Sequence, residues 1–251
     1  MMRKTKLVKI DPQNPDGKYL KEAAFILQEG GLVVIPTETV YGIAANMLKR
    51  KTLGRLYEIK QRPKEKPFSL HIADKAGAEE YARDIPVLAY KLMDKFWPGP
   101  LTLVLKAKDG GTVGIRMPDC EIALKLISYA EVPVVCPSAN ISGKPAPVDF
   151  TQAIEDLKGL VDVAIDAGRT KFGKESSVVD LTSDTPVFAR EGAIKKEDIE
   201  KVAQKKTVLF VCTGNSCRSV MAEALLKKKI QSEGRSQDIE VLSRGIMMMD
   251  G

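Results

Sequence analysis

Runs of apolar residues and amphipathic helical patterns follow each other irregularly along the chain. Consecutive apolar residues at 32–35 and 132–136 predict short strands that are buried on both faces. Apolar residues at helical spacing, as at Leu20, Ala23 and Leu27, predict helices with one buried face. Some predicted strands follow one another with no helix between them. The pattern therefore predicts an α/β fold in which helices cover a twisted mixed β-sheet.

The same pattern divides the chain into two parts. A closing helix is predicted at residues 195–203, and a polar joint follows it at residues 204–206. Beyond the joint, residues 208–211 predict another buried strand and residues 220–229 predict a helix. We therefore expect a first domain over residues 1–204 and a separate unit over residues 207–251.

Composition and charge narrow the class of ligand. The formal net charge of +6 and the pI of about 9.0 favour an anionic ligand such as a nucleotide, phosphate or RNA. The alternative is a set of lysine-rich helix surfaces, because the lysines are dispersed along the chain. One histidine and four cysteines without a C-x-x-C spacing argue against a zinc site. No secretory segment or long apolar run is seen, so a soluble cytoplasmic protein is expected.

Polar side chains collect where the predicted strands and helices of the first domain end. Four of them are cations that stand among hydroxyl groups, namely Lys60, Arg62, Arg116 and Arg190. Because ligands gather at strand ends in sheet proteins, we expect these cations to surround one site. Such a site suits a triphosphate and a carboxylate bound together. No Walker A pattern occurs, so this is not a P-loop site.

Each of these residues also has a purely structural interpretation. Lys60 can offset the dipole at the end of its helix, and His71 can be a half-buried histidine with satisfied nitrogens. Residues 137–140, Pro-Ser-Ala-Asn, can form a simple turn. The residue pattern alone therefore identifies only an anion-binding α/β domain.

Seven short motifs resemble the YrdC family, and they stand in family order over residues 7–202. They are IPTETVYG at 35–42, KQRP at 60–63, FWPGPLT at 96–102, RMP at 116–118, PSAN at 137–140, SGK at 142–144 and SSVVD at 176–180. The resemblance implies a YrdC-like fold and L-threonylcarbamoyladenylate synthase activity. The family enzyme joins L-threonine, bicarbonate and ATP, with Mg²⁺, into threonylcarbamoyl-AMP and pyrophosphate. A transfer complex then moves the threonylcarbamoyl group onto adenosine 37 of tRNA.

The resemblance also implies roles for individual residues. Lys60 and Arg62 are expected to be catalytic, by binding the phosphates and the carbamate. The expected nucleotide-binding residues are Lys60, Arg62, Ser138, Asn140 and Arg190. The expected threonine-binding residues are Thr37, Tyr41, His71, Arg116 and Ser177, with Arg116 facing the carboxylate. The family often has threonine where this chain has Ser177. No metal ligand from the protein and no general base are assigned.

A different motif stands at the start of the second unit. Cys212 and Arg218 are separated by five loop residues between the predicted strand and helix, which predicts a phosphate-binding loop with its own nucleophile. Together with residues 221–223, the motif resembles the low-molecular-weight protein tyrosine phosphatase family. The resemblance implies that Cys212 attacks as a thiolate, that Arg218 clamps the phosphate and that Cys217 can form a disulfide with Cys212.

The second unit departs from that family in two ways. Val220 replaces the usual proline at the helix start, and no Asp-Pro loop supplies a general acid after Cys212. We therefore expect an incomplete strand–loop–helix fragment that is loosely packed and catalytically inactive.

Two alternative functions remain open at this point. One is an RNA-binding module, including weak binding of double-stranded RNA, although no aromatic RNP-like motif or basic helix occurs. The other is a phosphotyrosine or phosphoarginine phosphatase that acts through Cys212.

Overall fold

A computed structural model gives the fold over residues 4–204, 206–214, 217–236 and 239–245. The chain forms two compact units, Met1–Lys196 and Glu197–Gly251. The division falls one residue into the helix Lys196–Gln204, whereas the predicted joint is at residues 204–206. The predicted domain boundary stays a prediction.

Within the described residues, ten strands of the first unit form one sheet. They are β1 (Lys6–Lys9), β2 (Val33–Ile35), β3 (Gly42–Asn46), β4 (Leu70–His71), β5 (Leu101–Lys106), β6 (Thr112–Arg116), β7 (Val134–Val135), β8 (Val163–Asp166), β9 (Ser177–Asp180) and β10 (Val187–Arg190). Their order across the sheet is β1-β8-β2-β3-β7-β4-β6-β5-β9-β10. Parallel pairs such as β4–β6 and β5–β9 adjoin antiparallel pairs such as β5–β6. The predicted mixed α/β sheet is thus confirmed.

Helices form between many of these strands. They are α1 (Gly17–Gln28), α2 (Arg50–Lys60), α3 (Gly77–Tyr81), α4 (Val87–Phe96), α5 (Glu121–Ala130), α6 (Phe150–Glu155) and α7 (Lys196–Gln204). Asp16 and Asp149 begin α1 and α6 as N-caps, because their carboxylates accept the amide hydrogens of Lys18 and Gln152. None of the helices in the described part of the chain is long and apolar enough to cross a membrane.

The two halves of the sheet are covered differently. In β2, Val33 belongs to the core that α1 and α5 complete, whereas Val34 belongs to a second core on the opposite face. Both faces of this half are buried, which explains the consecutive apolar residues. In β5, Leu103 is fully buried, but Thr102 and Val104 alternate with it and line a cavity. The functional site is therefore expected over this second half.

The second unit contains β11 (Lys206–Cys212), α8 (Arg218–Ser232) and β12 (Ile239–Gly245), and its two strands pair in parallel. The predicted strand and helix are present, but β12 was not predicted. The predicted burial of residues 208–211 is wrong, since Leu209 is 50% exposed and Val211 is 54% exposed. With two paired strands in the described residues of this unit, much of each strand's apolar surface stays accessible.

Two glycines test the packing of the first unit. Gly192 follows β10, and a Cβ atom there would collide with the carbonyl groups of Glu175 and Ser176. We expect Gly192→Ala to lower the free energy of unfolding by about 1–3 kcal/mol. Gly54 lies within α2 with no atom near its missing Cβ. Gly54→Ala should therefore raise the free energy of unfolding by about 0.5–1 kcal/mol. Urea denaturation followed by the fluorescence of Trp97, the single tryptophan, measures both, and a neutral Gly192→Ala would contradict this packing.

Candidate active site

A cavity of about 320 Å³ opens over the second half of the sheet. Its floor consists of side chains from β4, β5, β6, β9 and β10, and its walls come from loops between strands. Seven of the ten residues predicted for the first domain line it: Thr37, Tyr41, Arg62, His71, Arg116, Ser138 and Arg190. The other three, Lys60, Asn140 and Ser177, do not line it.

Arg116 ends β6 and is only 5% exposed. Its Nη2 donates to Glu38 Oε1 at 2.7 Å and to Thr39 Oγ1 at 2.9 Å, and its Nε donates to the carbonyl of Gly99 at 3.3 Å. Among the described residues, no partner is found for Nη1. Because Arg116 also lines the cavity, this nitrogen is the edge that the guanidinium can offer to an anion.

His71 pairs with Arg116 in the register of β4 and β6. Its Nδ1 lies 3.4 Å from the carbonyl oxygen of Ser69. Burial and the positive charge of Arg116 lower the pKa of His71 to about 3. The imidazole is therefore neutral at pH 7 and offers one donor and one acceptor, which suits a hydroxyl group and adds no charge.

Lys60 ends α2 and is 2% exposed. Its Nζ donates to the carbonyl oxygens of Ser138 and Asn140 at 2.5 and 2.8 Å. Burial, and then the charge of Arg62, lower the pKa of Lys60 to about 8. The ammonium therefore holds the loop that contains Ser138. The phosphate contact of Lys60 stays a prediction. Asn140 is likewise turned to the loop and donates to the carbonyl of Lys144 at 2.6 Å.

Arg62 is half-buried and lines the cavity. Its Nε donates to the carbonyl of Lys66 at 2.8 Å and its Nη2 to that of Pro67 at 3.2 Å. The guanidinium also lies 5.4 Å from the ring centroid of Phe68, a cation–π contact. These contacts fix the position of a cation that remains open to a ligand.

Arg190, the third arginine that lines the cavity, is the last residue of β10. Arg190 donates to the carbonyl of Ser176 at 3.0 Å and to its hydroxyl at 3.1 Å, and pairs with Glu175 at 2.8 Å. The Ser176 hydroxyl is also 2.9 Å from the hydroxyl of Thr102. All four residues line the cavity. Glu175, Ser176 and Thr102 were not predicted as site residues, although the first two lie beside the predicted Ser177.

Ser177 is directed away from the cavity. It is 1% exposed and pairs with Leu101 in the register of β9 and β5, so it shares the buried face. Its hydroxyl donates to the carbonyl of Ile194 at 2.5 Å and accepts from the amides of Gly192 and Ile194. Its neighbour Ser176 lines the cavity instead, because successive residues of an extended chain face opposite sides. The threonine contact of Ser177 stays a prediction.

Thr37 and Tyr41 line the cavity, and the hydroxyl group of each is bonded within the protein. The Thr37 hydroxyl donates to the carbonyl of Val40 at 2.7 Å and lies 2.8 Å from the hydroxyl of Thr39, so its own loop engages it. The Tyr41 hydroxyl donates to the carbonyl of Gly168 at 2.8 Å. Burial raises the pKa of Tyr41 to about 12, so this donor keeps its proton.

The second unit has a separate hollow of about 410 Å³. Cys212 and Arg218 both line it, and Cys212 Sγ lies 2.8 Å from Ser219 Oγ. Cys212 and Cys217 are thiols in this structure, so the implied disulfide between them is not formed. Residues 215 and 216 of the predicted phosphate loop lie outside the described residues.

The pKa of His71 gives a pH-dependent stability. Between pH 6.5 and about 3 the unfolded chain binds a proton that the native histidine does not, so stability falls as the pH is lowered. We expect a loss of about 1.4 kcal/mol per pH unit below 6.5 that His71→Gln lacks. Urea denaturation of both proteins at pH 7.5 and 5.5 measures it. Because His71 is the single histidine, an NMR titration of its ring proton with a midpoint near 6.5 would contradict the prediction.

Comparison with protein families finds two matches along the chain. The Sua5, YciO and YrdC family model, described as telomere recombination, matches residues 25–192. The model of low molecular weight phosphotyrosine protein phosphatases matches residues 207–250. Both matches agree with the resemblances inferred from the motifs.

Several curated relatives are named threonylcarbamoyl-AMP synthase or putative threonylcarbamoyl-AMP synthase. The threonylcarbamoyl-AMP synthase of Pyrococcus abyssi is 47% identical over 192 residues, which cover 73% of this chain and 56% of that protein. The Bacillus subtilis enzyme of that name is 41% identical, with 76% and 58% covered. The putative threonylcarbamoyl-AMP synthase of Methanocaldococcus jannaschii is 37% identical, with 80% and 98% covered. The chain thus spans little more than half the length of the first two relatives.

Solved structures agree with the sequence comparison. The crystal structure of Pyrococcus abyssi Sua5 complexed with L-threonine is 33% identical, with a TM-score of 0.76, and covers 96% of this chain and 85% of that chain. Escherichia coli YciO is 29% identical, with a TM-score of 0.69 and 75% and 96% covered. The family match over residues 25–192 extends over most of the chain, and the cavity lies within it. The chain therefore belongs to the Sua5/YciO/YrdC family.

Proposed function

We propose that the chain is an L-threonylcarbamoyladenylate synthase, which converts L-threonine, bicarbonate and ATP into threonylcarbamoyl-AMP and pyrophosphate. The observation that carries this proposal is one cavity in which a buried arginine edge and two further arginines converge, at Arg116, Arg62 and Arg190. The names of the relatives and the threonine in the Pyrococcus abyssi complex support it. An amino acid carboxylate and a triphosphate are the two anions that this arrangement fits.

Threonine binds at the end of the cavity near β4 and β6. Nη1 of Arg116 donates to its carboxylate, and the neutral imidazole of His71 bonds its hydroxyl without adding charge. Thr37 contributes its methyl group, because its hydroxyl is engaged by its own loop. The Ser176 hydroxyl supplies a further polar contact at the junction with the nucleotide.

ATP binds at the other end, with its phosphates between Arg62 and Arg190. Ser138 presents its hydroxyl there, and Lys60 keeps the Ser138 loop in place through the two carbonyl groups. Asn140 supports the same loop. Lys60 is thus a positioning residue in our proposal, whereas Arg62 meets the phosphates directly.

The chemistry follows from this arrangement. The threonine amine attacks bicarbonate, water leaves, and a carbamate forms. A carbamate oxygen then attacks the α-phosphorus of ATP, and the bond to the pyrophosphate leaving group breaks. Fixed guanidinium groups in a partly dry cavity stabilise the charge that builds on phosphate oxygens by several kcal/mol. Alignment of the three reactants supplies about 7–11 kcal/mol in favourable cases.

We propose that Mg²⁺ enters with ATP. Glu175 is a carboxylate of the cavity wall, and Arg190 engages it. No group of three or more metal-ligating side chains is found in the part of the chain that the structure describes, so these residues do not fit a protein-held ion. The triphosphate oxygens are the ligands that Mg²⁺ prefers, and Mg²⁺ there would neutralise phosphate charge.

The proposed function also covers the fate of the product, RNA binding and the role of the second unit. Threonylcarbamoyl-AMP passes to a transfer complex that modifies adenosine 37 of tRNA, in the cytoplasm where tRNA and ATP are available. Weak binding of double-stranded RNA would draw on the net charge of +6. We propose that residues 207–251 on their own do not turn over phosphate esters, because no Asp-Pro pair among them supplies a general acid.

The proposal is tested by pyrophosphate release from the purified chain. We expect release only when ATP, L-threonine and bicarbonate are all present, because the carbamate is the nucleophile. Product identity is checked by mass spectrometry. ATP cleavage that ignores threonine would contradict the proposed function. Cys212→Ser is the control for the second unit and should release pyrophosphate at the wild-type rate, and turnover of an aryl phosphate lost in this variant would favour a phosphatase instead.

The pKa of Lys60 predicts how the rate depends on pH. Above about pH 8 the ammonium of Lys60 loses its proton, so its hydrogen bonds to the carbonyls of Ser138 and Asn140 lose the assistance of the charge and weaken. We expect kcat/KM for ATP, which reports ionisations of the free enzyme, to fall severalfold between pH 7.5 and 9.5. Lys60→Arg keeps its charge in this range, so its rate, whatever its absolute value, should not show this decline. The comparison cancels the ionisation of the substrates, and parallel profiles of the two proteins would contradict the role of Lys60.

A further inference from the structure

Glu38 is a buried carboxylate that lies beneath the cavity and is not part of its lining. It stands between Thr37 and Thr39 in the loop after β2, and its side chain is 1% exposed. Its Oε1 accepts the hydrogen bond from Nη2 of Arg116 at 2.7 Å, and the Arg116 side chain is 6% exposed. Its Oε2 is buried with no partner among the described residues. A carboxylate so far from water depends on its one cation, and the cation depends on it.

The contacts of Arg116 show what this pair does to the guanidinium. Nη2 is engaged by Glu38 and by Thr39, and Nε is engaged by the carbonyl of Gly99. These three bonds hold two of the three guanidinium nitrogens in place. Among the described residues, only Nη1 is then left to meet a ligand in the cavity. The buried partners of Arg116 therefore determine which edge of its guanidinium stays free. Glu38 makes the strongest of these contacts, because it is charged.

We propose that Glu38 is a positioning residue for the amino acid substrate: it holds Arg116 so that Nη1 faces the cavity, and thereby sets the affinity for the carboxylate of threonine. The proposal rests on the proposed function. It assigns no contact between Glu38 and the substrate. Glu38 acts through Arg116, while ATP binds at the Arg62 and Arg190 end and is not affected.

Two physical effects of removing the charge of Glu38 oppose each other. Loss of a negative charge leaves Arg116 more positive, which by itself would strengthen carboxylate binding. Loss of the charged anchor weakens the bond that fixes the guanidinium, which misplaces Nη1 and weakens binding. If the position of Nη1 is decisive, Glu38→Gln weakens threonine binding. If the charge of Arg116 is decisive, Glu38→Gln strengthens it.

The experiment uses the full chain and compares Glu38→Gln, Arg116→Lys and the double variant. Isothermal titration calorimetry with L-threonine and, separately, with ATP gives the two dissociation constants. We expect Glu38→Gln to weaken threonine binding by about tenfold or more and to leave ATP binding within about twofold. Because Glu38 acts through Arg116, the double variant should bind threonine as Arg116→Lys does. Threonine KM against kcat gives the same separation in turnover.

A matched ion pair serves as the control. Asp162 pairs with Arg55 at 2.9 Å and is partly buried, and neither residue lines the cavity. Asp162→Asn should lower the melting temperature and leave threonine affinity unchanged. If the role of Glu38 were purely structural, Glu38→Gln would behave like Asp162→Asn. It would lower the melting temperature without a specific effect on threonine binding.

The outcomes separate the inference from the proposed function. Glu38→Gln that binds threonine as tightly as the wild type, or more tightly, overturns the positioning role, and so do additive effects in the double variant. If Glu38→Gln does not fold, Glu38→Asp keeps the charge but is one methylene shorter. It should lose a smaller part of threonine affinity, and unchanged affinity overturns the inference. A wild-type chain that does not bind threonine overturns the proposed function and the inference with it.

Discussion

The site depends on the burial of two cations, Lys60 at the end of α2 and Arg116 at the end of β6. They are 2% and 5% exposed. A buried charge is costly unless it is paired or well hydrogen-bonded, and the two residues meet this constraint in different ways. Lys60 is held by neutral carbonyl groups, so burial dominates and its pKa falls to about 8. Arg116 is held by the carboxylate of Glu38. Each solution immobilises something that the proposed chemistry needs, a loop in one case and a guanidinium edge in the other.

The sheet supplies the second constraint. Where both faces are covered, as in β2, consecutive residues are apolar and none is available to a ligand. Where one face is open, alternate residues are released from the core and line the cavity, as Thr102 and Val104 do. The change from two-sided to one-sided cover therefore determines where a ligand can bind. It also explains why Ser176 and Ser177, one residue apart, have unrelated roles.

The sequence could predict what depends on local patterns. Apolar runs and helical spacing indicated the mixed sheet and its helices, and seven of the ten residues predicted for the site line the cavity. It could not predict the direction of individual side chains, because strand register decides between Ser176 and Ser177. It also missed Glu38, because an acidic loop residue usually points to water, although Glu38 stands three residues after the buried strand β2 and within the motif at 35–42. The apolar run at residues 208–211 indicated a strand correctly, but burial depends on covering elements that local sequence does not report.

The net charge of +6 favours an anionic ligand, but exposed and buried cations contribute to anion binding in different ways. Charges on exposed lysines such as Lys171, whose side chain is 65% exposed, are screened by water and salt. They attract anions in general but cannot distinguish a carboxylate from a phosphate. Discrimination requires a cation that is desolvated and fixed, and Arg116 meets both conditions because a buried anion stands behind it. In the proposed function, selectivity for an amino acid therefore follows from how the charge of Arg116 is compensated, and not from the excess of positive residues in the composition.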